Sequence, residues 1–219
     1  MAVTHLITGF GLDRRVFDGL ELPPEQFRCA NLIPVEAGES LPRYASRLAE
    51  AIRFEPGDAI GGISLGGMLA LEIARQRGAA RIVLLASCTH PRFIRPVFRA
   101  AGRLAPWTPK FLLHLLFANI HGVLRLLGMH TELNAKFLRG VMGDFPPALL
   151  QQLPRMMMDW EGCEPVAPCR ALHSESDWLI RPPFQLPNVV LLPGPSHLIT
   201  VSHPGATRNF LLSQVLLEE

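Results

Sequence analysis

The sequence predicts an α/β protein: a mostly parallel sheet of about six strands, flanked by helices and carrying a helical insert after the fourth strand. Three observations predict it. Short apolar runs rich in Val, Ile and Leu alternate with stretches of helical spacing before residue 89 and after residue 167. Between those limits the pattern is helical only, broken at Pro106, Pro109, Pro146 and Pro147. Charge changes with the pattern, since the segment from His90 to Trp160 carries +6 while the remainder carries −4. Strands alternating with helices argue a parallel sheet covered on both faces, and a joint shift of pattern and charge marks a boundary. The expected division is therefore a core of residues 1–89 and 168–219 and an insert of residues 90–167.

The strands are expected at "VTHLI" (3–7), "FRCANLI" (27–33), "DAIGGI" (58–63), "RIVLLAS" (81–87), "CRALHS" (169–174) and "NVVLL" (188–192). Each is short, apolar and bounded by turn signals, as strands buried on both faces are. Helical spacing runs through 41–52, 65–77 and 204–217, and Gly78 stands where the second of these helices would end. With 219 residues, 48% of them hydrophobic, the chain is long enough to bury one substantial core. No apolar stretch reaches the ~18 residues of a spanning helix, and "MAVTHLITGFGLDRR" lacks the features of a secretory leader. A cytoplasmic protein is expected. The four cysteines lack C-x-x-C spacing and are read as buried free thiols.

Ligands of parallel sheets bind at the carboxyl ends of the strands, and three such loops carry cooperating polar residues. In "GISLGG", Ser64 ends the third strand and opens the longest helix of the core, with Gly62 and Gly66 flanking it. A G-x-S-x-G elbow places serine on a strained turn that exposes its hydroxyl, with a helix amino terminus beside it. "ALHSESDWLIRPP" offers Glu175 and Asp177, and "LLPGPSHLITVSHP" offers His197 and His203. A serine hydroxyl needs an imidazole to take its proton, and that imidazole needs an acid to fix its tautomer. The chain order Ser, acid, His is that of one hydrolase fold.

Together with "TGFGLDRRVF", "SESDWLIRP" and "HLITVSHP", these motifs resemble the α/β-hydrolase superfamily, and within it the pimeloyl-carrier-protein methyl ester carboxylesterase branch. The resemblance covers the sheet part at both ends of the chain. It implies Asp177 as the acid and His197 as the base, with Glu175 and His203 the less favoured choices. It also implies Phe10, in "TGFG", and Leu65 as backbone donors to an oxyanion, with both residues lining the substrate site. Against the family pattern, Thr8-Gly9 replaces His-Gly and Ser174 replaces the glycine of the acid loop. Only 20 positions separate Asp177 from His197, so the helix before the last strand is expected to be very short or missing. The amino-terminal hairpin of larger relatives is expected to be absent. This is a trimmed α/β-hydrolase fold.

The resemblance makes the insert a cap. "PKFLLHLLFANIHGVLRLLGMH" and the methionines of "LPRMMMDW" suit a roof over an apolar substrate. His114, His121 and His130 lack ligand spacing, so no metal is expected, nor any cofactor. Of Arg92, Arg95, Arg99 and Arg103, three fall at spacings of three and four and are expected to share a helix face. Such a face suits either solvent or an acidic partner, an acyl carrier protein or anionic lipid. No nucleic-acid partner is expected. The reading is a serine hydrolase of a small-molecule carboxylic ester. A thioesterase or carbon–carbon bond hydrolase with the same triad is the alternative, as is a binding protein that kept the fold without turnover.

Overall fold

A computed structural model describes residues 3–109, 111–113 and 149–215 of the chain. Six parallel strands form one sheet in the order β2-β1-β3-β4-β5-β6. They are β1 (Thr4–Ile7), β2 (Phe27–Ala30), β3 (Ala59–Ile63), β4 (Arg81–Leu85), β5 (Cys169–Ser174) and β6 (Val189–Leu192). Strand alternation sorts their side chains between two cores. Ile7, Ile60, Ile82, Leu84 and Ala171 face one side of the sheet, and Leu6, Ile63, Val83, Leu85 and Leu172 face the other.

Helices α1 (Leu41–Ala51) and α2 (Leu65–Arg77) cover the first face. Ser40 caps α1 by accepting from the Arg43 N–H, and Pro42 stands in its first turn, where a missing N–H is harmless. Helix α2 is buried continuously from Leu65 to Ala74 and stops at Gly78, whose φ of 76° lies in the left-handed region. The second face is covered by a 3₁₀ segment (Arg14–Leu20), the short α5 (Ile199–Ser202) and α6 (Pro204–Val215).

Three expectations need correction. The second and fourth strands end early, at Ala30 and Leu85; Ala86 turns to φ 43°, which ends β4. β6 is an edge strand, and Val190 and Leu191 on it are exposed rather than buried on both faces. Between β5 and β6 no helix occurs among the described residues, in line with the expected missing helix.

After β4 the chain leaves the sheet through a 3₁₀ turn (Pro91–Phe93), α3 (Pro96–Leu104) and another 3₁₀ turn (Ala105–Trp107), and it returns through α4 (Leu149–Met158). A side chain at Gly102 of α3 would sit 3.0 Å from Met158, so the two helices lie close. Leu149, Leu153 and Met156 join the α1–α2 core, and the buried Trp160 donates from its indole nitrogen to the Glu72 carboxylate at 2.8 Å. Glu72 also holds Arg75 at 2.6 Å, so the chain just after α4 is pinned to the middle of α2. The segment carrying His114, His121 and His130 lies outside the described residues. Among the described residues no helix is long and apolar enough to cross a membrane, and the four cysteines are free.

Candidate active site

The strand order reverses direction between β1 and β3, the place where open parallel sheets open a crevice at their carboxyl ends. Register puts Ile7 beside Gly62, so the loops leaving β1 and β3 emerge side by side. Ser64 is on the second of these loops with φ 55° and ψ −120°, a backbone conformation that an L-residue holds only at a cost.

Three contacts maintain the elbow. The Ser64 N–H donates to the Leu85 carbonyl at 2.9 Å. Its own carbonyl accepts the Gly67 N–H at 3.0 Å and the buried Ser87 hydroxyl at 2.6 Å. The flanking glycines are required by space: a Cβ at Gly62 would lie 2.5 Å from Gly66 C, and one at Gly66 would run into the Ile7 carbonyl.

The "TGFG" loop lies directly against the elbow. A Cβ at Gly9 would stand 3.1 Å from Ser64 Cβ, and Gly11 makes the turn at φ 72°. Phe10 is half-buried between these glycines, and Leu65 is fully buried as the first residue of α2. First-turn N–H groups of a helix have no intrahelical acceptor, so the Leu65 amide is of the kind that serves an anion.

The acid and base loops meet. Asp177, fully buried, accepts the Leu179 and Ile180 N–H groups on Oδ1 at 2.7 and 3.2 Å. Its Oδ2 lies 2.7 Å from His197 Nδ1. Burial pushes the Asp177 carboxyl up, but the opposing His197 and His173 outweigh it and hold the group well below the usual carboxylate range. His197 is buried, and its Nε2 has no hydrogen-bond partner among the described residues. The structure thus joins Asp177 to His197 directly, while no hydrogen bond yet links His197 to Ser64.

The less favoured residues point elsewhere. Glu175 accepts the Gly194 N–H at 3.2 Å, and the Ser174 hydroxyl donates to the Gly194 carbonyl, so both tie the acid loop to the base loop. His203 pairs with the Ser202 hydroxyl at 2.9 Å at the junction of α5 and α6.

Only Arg99 and Arg103 lie on α3, so no three of the four arginines share a helix face. Arg92 stands over the Phe93 ring, and Arg95 precedes α3 in extended backbone because Pro96 follows it. The Arg95 guanidinium Nε donates to the Asp177 carbonyl at 3.0 Å, its N–H donates to Leu179, and Ile94 bridges Ile180. The chain just before α3 therefore clamps the loop after β5.

Two residues, Ser87 and His173, escaped the sequence reading, and Arg95 was read in another role. Ser87 secures the elbow, Arg95 secures the acid loop, and His173 on β5 places Nε2 3.2 Å from Asp177 Oδ2. For His173 the available signal was a histidine inside an apolar strand pattern. Cysteine chemistry is absent from this cluster: burial pushes the Cys88 thiol up to about 12. A separate cavity of about 850 Å³ between residues 35–42, α2 and α4 contains none of these groups, and its buried carboxylates, Glu39 and Glu72, are already paired with Arg47 and Arg75.

The fold is that of the α/β hydrolases. A profile of the alpha/beta hydrolase family matches residues 6–209, and the chain belongs to that family. No curated protein matches it significantly in sequence. Among solved structures, a thermophilic esterase from Thermogutta terrifontis is similar at TM-score 0.73 and 16% identity, over 98% of this chain and 89% of that one. A hydrolase from Oleispira antarctica is similar at 0.73 and 14%, over 99% and 91%. MenH from S. aureus is similar at 0.72 and 16%, over 97% and 92%. At these identities the likeness is one of fold.

Proposed function

We propose that this protein hydrolyses a carboxylic ester through an acyl-enzyme. Ser64 Oγ attacks the carbonyl carbon while its proton passes to His197 Nε2. The tetrahedral oxyanion is received by the Phe10 and Leu65 N–H groups. The ester C–O bond then breaks, the alcohol leaves with the proton from His197, and a water deprotonated by the same nitrogen releases the acid and regenerates Ser64. Asp177 keeps the His197 proton on Nδ1, leaving Nε2 as the acceptor. In this reading residues 90–167 form the cap over a core of 1–89 and 168–219, and the site works in the cytoplasm.

The observation that carries the proposal is the buried 2.7 Å bond from His197 Nδ1 to Asp177, with the opposite ring nitrogen unpartnered. A buried, unsatisfied nitrogen is unfavourable, and a serine hydroxyl aligned during reaction is what would satisfy it; such bonds are often loose before substrate binds. The likeness of "SESDWLIRP" and "HLITVSHP" to carboxylesterases of carrier-bound methyl esters extends the proposal to an acyl ester presented by an acidic carrier. Of the four arginines, Arg92, Arg99 and Arg103 remain for such a partner, because Arg95 is committed to the acid loop.

The test is labelling by a fluorophosphonate followed by hydrolysis of p-nitrophenyl esters of rising acyl length, beside methyl esters and acyl thioesters. Labelling at Ser64 with turnover of oxygen esters is expected. Faster turnover of thioesters would change the substrate class, and labelling that survives Ser64→Ala would overturn the mechanism.

A further inference from the structure

Asp177 faces two imidazoles. His173 Nε2 lies 3.2 Å from the same Oδ2 that His197 approaches at 2.7 Å, and 3.0 Å from the Ile180 carbonyl. Both neighbours of Nε2 accept only, so that nitrogen carries the ring proton. Its other nitrogen, Nδ1, is buried with no partner among the described residues. A proton there would have no acceptor, and the bare nitrogen is unsatisfied as it stands. For packing alone, leucine or phenylalanine would fill this fully buried strand position without that penalty. The polar ring is retained, its one proton shared between the Ile180 carbonyl that accepts it and the acid oxygen 3.2 Å away.

The carboxylate is thereby saturated. Oδ1 accepts two backbone N–H groups, and Oδ2 accepts the His197 Nδ1 proton and lies 3.2 Å from the protonated His173 Nε2. His173 belongs to β5 and is fixed by its register with Leu191 of β6, so its donor is delivered by the sheet and not by a loop. It is not a second base, since Nε2 is engaged and Nδ1 is sealed from any substrate.

We propose that His173 is a positioning residue for Asp177, a second imidazole that shares Oδ2 and thereby limits how strongly the acid holds His197. This rests on the reading of Asp177 as the acid. Without His173 the oxygen keeps one donor, and its bond to His197 Nδ1–H tightens.

The test is ¹H–¹⁵N NMR of the His197 Nδ1–H resonance in a Ser64→Ala background, which needs no turnover. In His173→Phe the resonance should move further downfield, and His173→Gln, whose amide nitrogen stands where Nε2 stood, should return it toward the parent position. If the phenylalanine variant does not fold, His173→Asn, too short to reach Oδ2, takes its place against the glutamine variant. An unmoved resonance in the folded Phe or Asn variant, or equal displacement in the Gln variant, overturns the proposal. In the protein with Ser64 intact, the loss is expected in kcat, about 10- to 100-fold, with KM little changed. Absence of labelling at Ser64 in the parent protein would sink the esterase reading separately, leaving the NMR comparison to decide the role of His173.

Discussion

Replacing Asp177 by asparagine preserves shape and removes charge, and the surrounding donors determine how the amide must lie. Oδ1 accepts the Leu179 and Ile180 N–H groups at 2.7 and 3.2 Å, so the amide oxygen takes that place and the NH₂ turns toward His197. His197 Nδ1 then faces a donor and must give up its proton, which moves to Nε2 and blocks the ring as a base. The opposite orientation restores the tautomer but sets the NH₂ against two buried N–H groups, at about 1–3 kcal/mol each. In the first orientation the NH₂ meets the His173 Nε2–H 3.2 Å away, which offsets one of these two clashes, so the working arrangement is populated about 5- to 160-fold less, at 1.36 kcal/mol per decade. Loss of the charge that supports the imidazolium adds to this, and a fall in kcat of about 10⁴-fold is expected. Glu175→Gln, altering an exposed carboxylate that meets only the Gly194 N–H, should change kcat by about twofold at most. The assay is kcat on a p-nitrophenyl ester, with thermal melts to show both variants folded. A folded Asp177→Asn within tenfold of the parent, or a larger loss in Glu175→Gln, would refute the reasoning.

Ser64→Gly removes the nucleophile and also the strain of an L-residue at φ 55°, so it should be inactive yet more stable by about 1 kcal/mol, read as a rise in Tm of about 2–4 °C; an unchanged or lower Tm would show that the elbow stores no strain. Ser64→Ala should lower kcat by about 10⁶-fold without that gain, since alanine keeps the Cβ. The folded Asp177 carboxyl titrates below the ordinary 3.8, so its stabilisation is present above the unfolded value and is lost as pH falls toward the folded one; the Tm advantage of the parent over Asp177→Asn should begin to shrink below about pH 5, and an advantage that grew on acidification would have the sign wrong. Trp160→Phe deletes the 2.8 Å bond that joins the chain just after α4 to the buried Glu72, and urea unfolding should report a loss of about 1.5–3 kcal/mol.

The elbow was legible because its cause is local. Gly62, Ser64 and Gly66 lie within five residues between an apolar strand and a helical pattern, and the crowding that demands the glycines comes from the strand-to-helix turn and the adjacent β1. The inner strands and the end of α2 at Gly78 were legible for the same reason, since apolar runs and a helix stop act over a few residues. Arg95 was misplaced although its signal was local too: the residue before a proline is driven to extended backbone, which removes it from the helix face that its spacing suggested. Asp177 and Glu175, two positions apart beyond the end of a strand, have no periodicity to separate them, and the family likeness alone favoured one.

The sequence by itself determined the order of strands and helices, the serine on its elbow and the three loops that hold the candidate chemistry, because these follow from side-chain period, proline, glycine and helix-stop signals acting within a few residues. Tertiary structure alone decided that Asp177 turns inward to His197 while Glu175 turns out to Gly194, that His173 joins the acid, and that Arg95 and Ser87 brace the two loops. Those contacts join residues brought together by the register of β4, β5 and β6 and by a tight turn after β5. Where a side chain lands after such a turn depends on which buried donors across the sheet remain to be satisfied, and that is a property of the assembled fold.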